Sequence, residues 1–389
     1  MNIEVVIGAN YGDEGKGMFT EYLCMNRPKP LVVLSNGGCQ RGHTVNNSKM
    51  GIRHVFHHFG SGTLVGAPTI ISKSFLINPI SFVKEYKELQ HLGISPEVHR
   101  SLECIFQLPS DMFINQQLEK HRSRSNNKHG SCGWGIWETI LRNQKHRLTF
   151  NDFAAMNDKQ KLKCMNEQLE MQIADRIASI KDIDIDNPTL NIIRSECFCR
   201  RFIDDFHFVE AHCPSLLSNN IVDIASNTDY ETIVVENAQG LLLDVNYAPK
   251  DDNGRVDIHT TPSKTGLKGA IESLSYNDKL LNVTPNYITR SYITRHGAGP
   301  FPEYTHGLLY EDKTNIPNDY QDAMRFGKMT YEHAKSLLER IQKDAHSFHC
   351  IPKLVITHLN EARCELLEEN ANYMSYSDDS IYFKNNMHF

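Results

Sequence analysis

Val5-Val6-Ile7-Gly8-Ala9-Asn10-Tyr11-Gly12-Asp13-Glu14-Gly15-Lys16-Gly17-Met18 is the stretch on which the fold turns. It opens with a short β-branched run suited to a buried strand. Three glycines then bracket Asp13, Glu14 and Lys16, and a helical run follows through Thr20 and Leu23. Such a turn lets backbone N–H groups approach phosphate oxygens, while the helix N-terminus and Lys16 supply positive charge. Gly12, Gly15, Lys16 and Gly17 are therefore expected to hold a triphosphate. The turn departs from GxxxxGK[ST], because Asn10 stands at the first glycine position and Gly17 where a magnesium-binding hydroxyl belongs. Asp13 is the candidate to hold the metal instead. Taken alone, such a turn is equally well explained as a tight strand-to-helix connection with solvated charges.

Outward from this motif, further apolar runs at Leu31–Leu34, Thr69–Ile71, Thr232–Val235, Tyr287–Ile293 and Lys353–Thr357 alternate with helical patterns. That alternation predicts an α/β fold with a mostly parallel central sheet and helices on both faces. Between Asn151 and Ile180, a helix is expected with Leu162, Met165, Leu169, Ile173 and Ile177 on its core-facing stripe. No repeat, low-complexity tract or Pro/Gly/Ser linker breaks the 389 residues, so residues 1–389 are expected to form a single domain with insertions. The net charge of −6 gives no broad basic field for a nucleic-acid polymer. No apolar stretch approaches the roughly 18 residues of a membrane span. The ten cysteines read as free thiols, and the start lacks a signal-peptide charge pattern. A cytoplasmic location is expected.

A second glycine-rich turn, Asn36-Gly37-Gly38-Cys39-Gln40-Arg41-Gly42-His43-Thr44-Val45, follows the strand Leu31–Leu34. His43 in that setting reads as an acid or electrophile beside a bound anion. Together the two turns resemble the GDEGKG and GGxxxGHT loops of the adenylosuccinate synthetase family. Further matches follow in order. Gly130-Ser131-Cys132-Gly133-Trp134-Gly135-Ile136 is similar to GTTGRGI, Glu236–Asp244 to EGAQGxLLD, and Thr294–Pro302 to TRxGAGPFP.

The resemblance implies a P-loop-related fold and a two-step reaction. A carboxylate removes the N1 proton of a 6-oxopurine nucleotide, and O6 attacks the γ-phosphate of a triphosphate. The amine of L-aspartate then displaces that phosphate from C6. By position Asp13 is the implied base and a magnesium ligand, His43 the general acid, and the Gly42 carbonyl a second ligand to Mg2+. Thr44 joins the triphosphate set. Asn10, Asp13, Gln40, Ser131, Cys132 and Gln239 fall where the family holds its substrate nucleotide. Arg142 is the candidate for an arginine shared across a homodimer. Thr265 and Arg325 are expected at the aspartate.

Several departures bear on substrate choice. Where the family reads guanine with TKLD, this chain has Thr357-His358-Leu359-Asn360. A carboxylate accepts from both N1–H and the 2-amino group of guanine, whereas an amide suits the mixed donor and acceptor edge of adenine. ATP or dATP is thus the expected donor. The arginine-rich aspartate loop of bacterial members is replaced by Asn318–Gly327, leaving Arg325 as the carboxylate clamp. Gln40, Ser131, Cys132 and Trp134 replace family Asn, Thr, Thr and Arg. The segments His57–Leu64 and Thr261–Gly266 look like a phage branch that converts dGMP to the succinyl precursor of 2-aminoadenine. Members of that branch often lack the carboxylate that Asp13 supplies. The expectation is therefore a carbon–nitrogen ligase acting on dGMP, with IMP as the alternative substrate. Rivals from other classes are an inactive nucleotide-binding regulatory protein and a P-loop switch GTPase.

Overall fold

The computed structural model describes residues 1–124, 131–178, 180, 183–248, 259–275, 282–301, 303–308, 310, 312, 314–315 and 323–386. In chain order the strands are β1 (Asn2–Gly8), β2 (Pro30–Leu34), β3 (His43–Asn47), β4 (Ile52–Phe56), β5 (Thr69–Ile71), β6 (Leu76–Ile77), β7 (Val98–Arg100), β8 (Ile105–Phe106), β9 (Thr232–Gly240), β10 (Asn282–Arg290), β11 (Ile293–Arg295), β12 (Arg325–Gly327), β13 (Lys353–Thr357), β14 (Tyr373–Met374) and β15 (Lys384–Asn385). The α-helices are α1 (Lys16–Asn26), α2 (Pro79–His91), α3 (Pro109–Arg124), α4 (Ile136–Lys145), α5 (Phe150–Ala154), α6 (Asp158–Arg176), α7 (Asn187–Arg194), α8 (Glu196–His212), α9 (Ile221–Ser226), α10 (Leu267–Ser273), α11 (Tyr331–His346) and α12 (Glu365–Asn370). No helix among the described residues is long and apolar enough to cross a membrane.

Nine strands form one sheet in the order β15-β14-β13-β10-β1-β9-β2-β5-β7. Every pairing is parallel except β14 with β15. Strand side chains alternate between two cores, as a period of two demands. Val6, Val32, Leu34, Val234 and Val355 face one core, which also holds Phe19 of α1, Phe82 of α2 and Phe206 of α8. Val5, Ile7, Leu31, Val33, Val235, Leu354 and Ile356 face the other, packed on Ala270 of α10 and Leu337 of α11. Burial on both faces explains the continuous apolar runs of these strands. Between β8 and β9, helices α3 to α8 are inserted, with a small core of their own around Phe113, Leu118 and Leu169.

The chain leaves β1 toward β2 on one side of it, and later crosses from β9 to β10 on the other. Ligands of open α/β sheets bind at such a reversal, outside the carboxyl ends of the strands. The glycine-rich turns after β1, β2 and β9 all emerge at that end, as do Ser291 after β10 and His358 after β13.

Candidate active site

The turn after β1 is shaped by its backbone. Gly12, Asp13 and Gly15 have φ of 98°, 58° and 90°, and Gly15 caps α1, so Lys16 is the first helical residue. A left-handed non-glycine residue such as Asp13 is uncommon and often marks a functional turn. Its carbonyl accepts from Arg290 Nε at 2.5 Å, and Thr294 Oγ1 donates to the Gly12 carbonyl at 3.2 Å. The Asp13 carboxylate is half-buried and has no ion pair among the described residues. It is thus free for a proton or a hard cation. The Lys16 ammonium is buried 4.0 Å from Glu14, and burial pushes the Glu14 carboxyl up to about 7 against the pull of Lys16. Gly17 has a packing reason: a Cβ there would lie 3.0 Å from His43 Cβ and from the Thr44 carbonyl. The missing hydroxyl is the condition for seating α1 against β3.

His43 opens β3 and is buried. Its Nδ1 lies 2.6 Å from Glu236 Oε1, so with that carboxylate ionised Nδ1 donates and Nε2 is left for a ligand. Glu236 also accepts from Ser61 N at 3.0 Å and from Ser61 Oγ, and pairs with Arg41 Nη1 at 3.0 Å. Burial would raise the Glu236 carboxyl, but Arg41 and His43 hold it well below the usual range. Burial and the Arg41 charge push His43 down, against the opposing pull of Glu236. His43 is therefore neutral and oriented. The sequence reading assigned no role to Glu236, Arg41 or Ser61. The acidic residue that opens the β9 turn was the available signal for the first.

The third segment is drawn to the second turn by Gln107, whose amide donates to the Trp134 carbonyl at 2.6 Å while its oxygen accepts from Cys39 Sγ at 3.0 Å. Ser131 Oγ exchanges hydrogen bonds with Asn115 at 3.2 and 3.3 Å. Burial pushes the Cys132 thiol up to about 11, so it is a packing and hydrogen-bonding group rather than a nucleophile. Gln40 and Gln239 each keep a buried side-chain oxygen with no partner among the described residues, Gln239 at φ 64°. Unpaired buried acceptors of this kind suit a ligand donor. Thr44 Oγ1 reaches Thr314 Oγ1 at 2.8 Å.

Asn360 lies on the exposed turn after β13, whose Thr357 Oγ1 donates to the Glu14 carbonyl at 2.9 Å. Arg325, on β12, donates to the carbonyls of Gly299 and Gly297 at 3.0 and 2.7 Å, bracing the turn after β11. Residues 318–322 of the replacement loop lie outside the described residues, as do Gly130 and Pro302 of the matched motifs.

Three expected site residues have partners within the chain. Arg142 is buried and forms a two-pronged pair with Asp111, Nε to Oδ1 at 2.9 Å and Nη2 to Oδ2 at 3.0 Å. Its guanidinium is engaged within its own chain. Thr265 is fully buried, its Oγ1 donating to the Gly240 carbonyl at 3.1 Å and its N to Asp244 at 2.7 Å. That hydroxyl serves the β9 turn, not aspartate. The Asn10 side chain is turned inward, donating to Thr289 and accepting from Arg340 and His333, so it braces the turn instead of touching a nucleotide.

Magnesium keeps most of its oxygen ligands as water and substrate phosphate, with one or two from protein. The half-buried Asp13 carboxylate beside a phosphate cradle fits that need. No group of three or more His, Cys, Asp or Glu residues among the described residues could hold a metal by itself.

This class of site, a phosphate loop joined to a His–Glu pair across a parallel sheet, has known relatives. The adenylosuccinate synthetase family model matches residues 5–350, and the chain belongs to that family. It is similar to the adenylosuccinate synthetase of Pediococcus pentosaceus, 26% identical over 319 residues, 78% of this chain and 65% of that protein. The enzyme of Mesoplasma florum is 28% identical over 307 residues, with the same two coverages. The chain thus spans 65% of the length of these curated relatives. Among solved structures, fully ligated adenylosuccinate synthetase from Plasmodium falciparum superposes with TM-score 0.68 at 17% identity, covering 92% of this chain and 77% of that one. Succinoaminodeoxyadenylate synthetase of cyanophage S-2L, solved with dGMP and with dATP as energy donor, gives TM-score 0.65 at 13% identity, covering 99% and 95%. Both likenesses bear on the fold.

Proposed function

We propose that this protein ligates L-aspartate to C6 of dGMP, with ATP or dATP as phosphoryl donor. The observation that carries the ligase reading is that the phosphate loop packs Gly17 directly on His43, with Glu236 behind the imidazole. Asp13 takes the N1 proton of the purine, and Lys16 with the amides of Gly15 and Gly17 holds the triphosphate. Anionic phosphate beside His43 raises its proton affinity, so that Nε2 can carry the proton that neutralises O6. Mg2+, held by Asp13 and the Gly42 carbonyl, would neutralise charge on the transferred phosphate. Gln40, Ser131, Cys132 and Gln239 line the nucleotide, Thr44 joins the triphosphate, Asn360 reads the donor base and Arg325 clamps the aspartate carboxylate.

Support for dGMP comes from the segments His57–Leu64 and Thr261–Gly266, and from the near full-length likeness to the cyanophage enzyme. Adenylosuccinate synthetase acting on IMP is the second reading, favoured by the presence of Asp13 and by the curated relatives. The test is competition between equal dGMP and IMP, with aspartate, Mg2+ and either ATP or GTP, products being separated by mass. A site built for guanine leaves an acceptor unpaired with IMP, so dGMP should lead by about one to two decades in kcat/KM. ATP should outperform GTP, and Asn360→Asp should narrow that gap, each base contact being worth roughly 1–3 kcal/mol. IMP consumed first would establish the second reading, and no product from either would remove the ligase reading.

A further inference from the structure

His333, in the first turn of α11, has a role that the reaction does not require of it. It is buried, with Nδ1 2.7 Å from Glu303 Oε1 and Nε2 3.0 Å from Asn10 Oδ1. Arg340, two turns further along α11, donates to the same Asn10 oxygen at 2.8 Å and to the Ala9 carbonyl at 3.0 Å. The Arg340 bond fixes Oδ1 as the acceptor, so Asn10 Nδ2 is the atom that donates to Thr289 Oγ1 at 3.0 Å. Each imidazole nitrogen of His333 thus lies within hydrogen-bonding distance of a side-chain oxygen, and the ring bridges Glu303 and Asn10.

The two ends of this bridge lie in different parts of the site. Asn10 opens the phosphate loop, and its backbone N–H donates to Glu14 Oε1 at 2.5 Å, the carboxylate that faces Lys16. Glu303 lies beside the strand of Arg325. Tyr304 bridges to Gly327, Thr305 N donates to the Phe326 carbonyl at 3.0 Å, and any Cβ on Gly327 would strike the Glu303 carbonyl. A ligand that draws Arg325 toward itself therefore loads the segment 303–305, and Glu303 passes that load to His333 and Asn10. His333 and Asn10 are buried and Glu303 is partly so, and a packed interior transmits a small shift rather than absorbing it.

We propose that the Glu303–His333–Asn10 bridge couples occupancy of the aspartate clamp at Arg325 to the phosphate loop, with His333 as a positioning residue. The proposal rests on the ligase reading above. Coupling of two ligands is a ratio of affinities and is reciprocal, so it can be measured apart from turnover. L-Aspartate is titrated calorimetrically into the protein saturated with the purine monophosphate that it turns over. The titration is run with and without Mg2+ and the β,γ-imido analogue of the triphosphate that supports turnover. In the unaltered protein aspartate should bind at least about fivefold tighter with the analogue present. His333→Phe, which fills the volume without donors, and Glu303→Met, which removes the acceptor, should bring that ratio toward one. Aspartate affinity without the analogue should stay within about twofold of the parent value, a pattern that general loss of structure would not give. Should His333→Phe fail to fold, Glu303→Met decides. A ratio that persists in the folded variants, or that is already one in the parent, overturns the coupling. Absence of turnover in the parent instead overturns the ligase reading on which it rests.

Discussion

Residue by residue, the site is a set of side chains whose freedom has been removed in advance. The Asp13 backbone lies in the left-handed region, and its carbonyl is anchored by Arg290. His43 is oriented by Glu236, which is itself held by Arg41 and Ser61. Asp13→Asn should abolish ligation, because an amide cannot take the purine proton and is a poorer magnesium ligand. His43→Ala should do the same, because alanine cannot neutralise O6. Each should cost at least ~10²-fold in kcat while the thermal transition stays cooperative. Near-parent turnover in either variant, measured by succinylated product, would sink the assignment. The motifs made Asp13, Lys16 and His43 legible, because phosphate chemistry constrains glycine and charge within a few positions. The partners of Arg142, Thr265 and Asn10 were not legible, because a motif position does not reveal which way a side chain points. Each is instead satisfied by a buried partner distant in sequence.

At the scale of elements, β2, β5 and β13 were legible to within a residue or so, since strands covered on both faces are written as unbroken apolar runs. The rest of β9 was not, because Glu236-Asn237-Ala238-Gln239-Gly240 is polar yet buried to serve the site. The expected single helix across 151–180 is two, α5 and α6, because Thr149 with Asp152 and Asn157 with Gln160 each form a capping box. The run expected at Tyr287–Ile293 is likewise broken. β10 ends at Arg290, where the guanidinium turns to the Asp13 carbonyl, and β11 begins at Ile293.

Helix α2 carries a pH dependence. His58 is fully buried, with its ring near those of Phe75 and Phe82, and Nε2 accepts from Asn78 N at 3.0 Å, at the N-cap of α2. Burial pushes its proton affinity down, against Glu85. Below about pH 6.5 the unfolded chain takes a proton that the folded ring refuses, so stability present above that pH is lost on acidification. The slope of unfolding free energy from denaturant curves between pH 6.5 and 5 should be steeper in the parent than in His58→Phe. The difference should reach at most about 1.4 kcal/mol per pH unit. Parallel slopes would show that His58 does not titrate differently on folding.

For the whole molecule, the inserted helices α3 to α6 are fastened by a buried charge. Asp111 accepts from both prongs of Arg142, from Leu108 N at 2.8 Å and from Gln172 Nε2 at 2.5 Å. Removing one partner of a buried pair leaves the other charge uncompensated. Arg142→Met should therefore lower unfolding free energy by about 3–5 kcal/mol while leaving the nucleotide KM within about twofold. A KM defect without lost stability would return Arg142 to the nucleotide.

The sheet that organises everything else also ends in a particular way. On one side it finishes with β15, two exposed residues including Lys384, running against the direction of the other strands. On the other it finishes with the three residues of β7, where Ser215 bridges to Arg100. Short, charged or covered margins offer another chain little to add a strand to. At high concentration the folded protein should therefore resist fibrous association through the margins of this sheet.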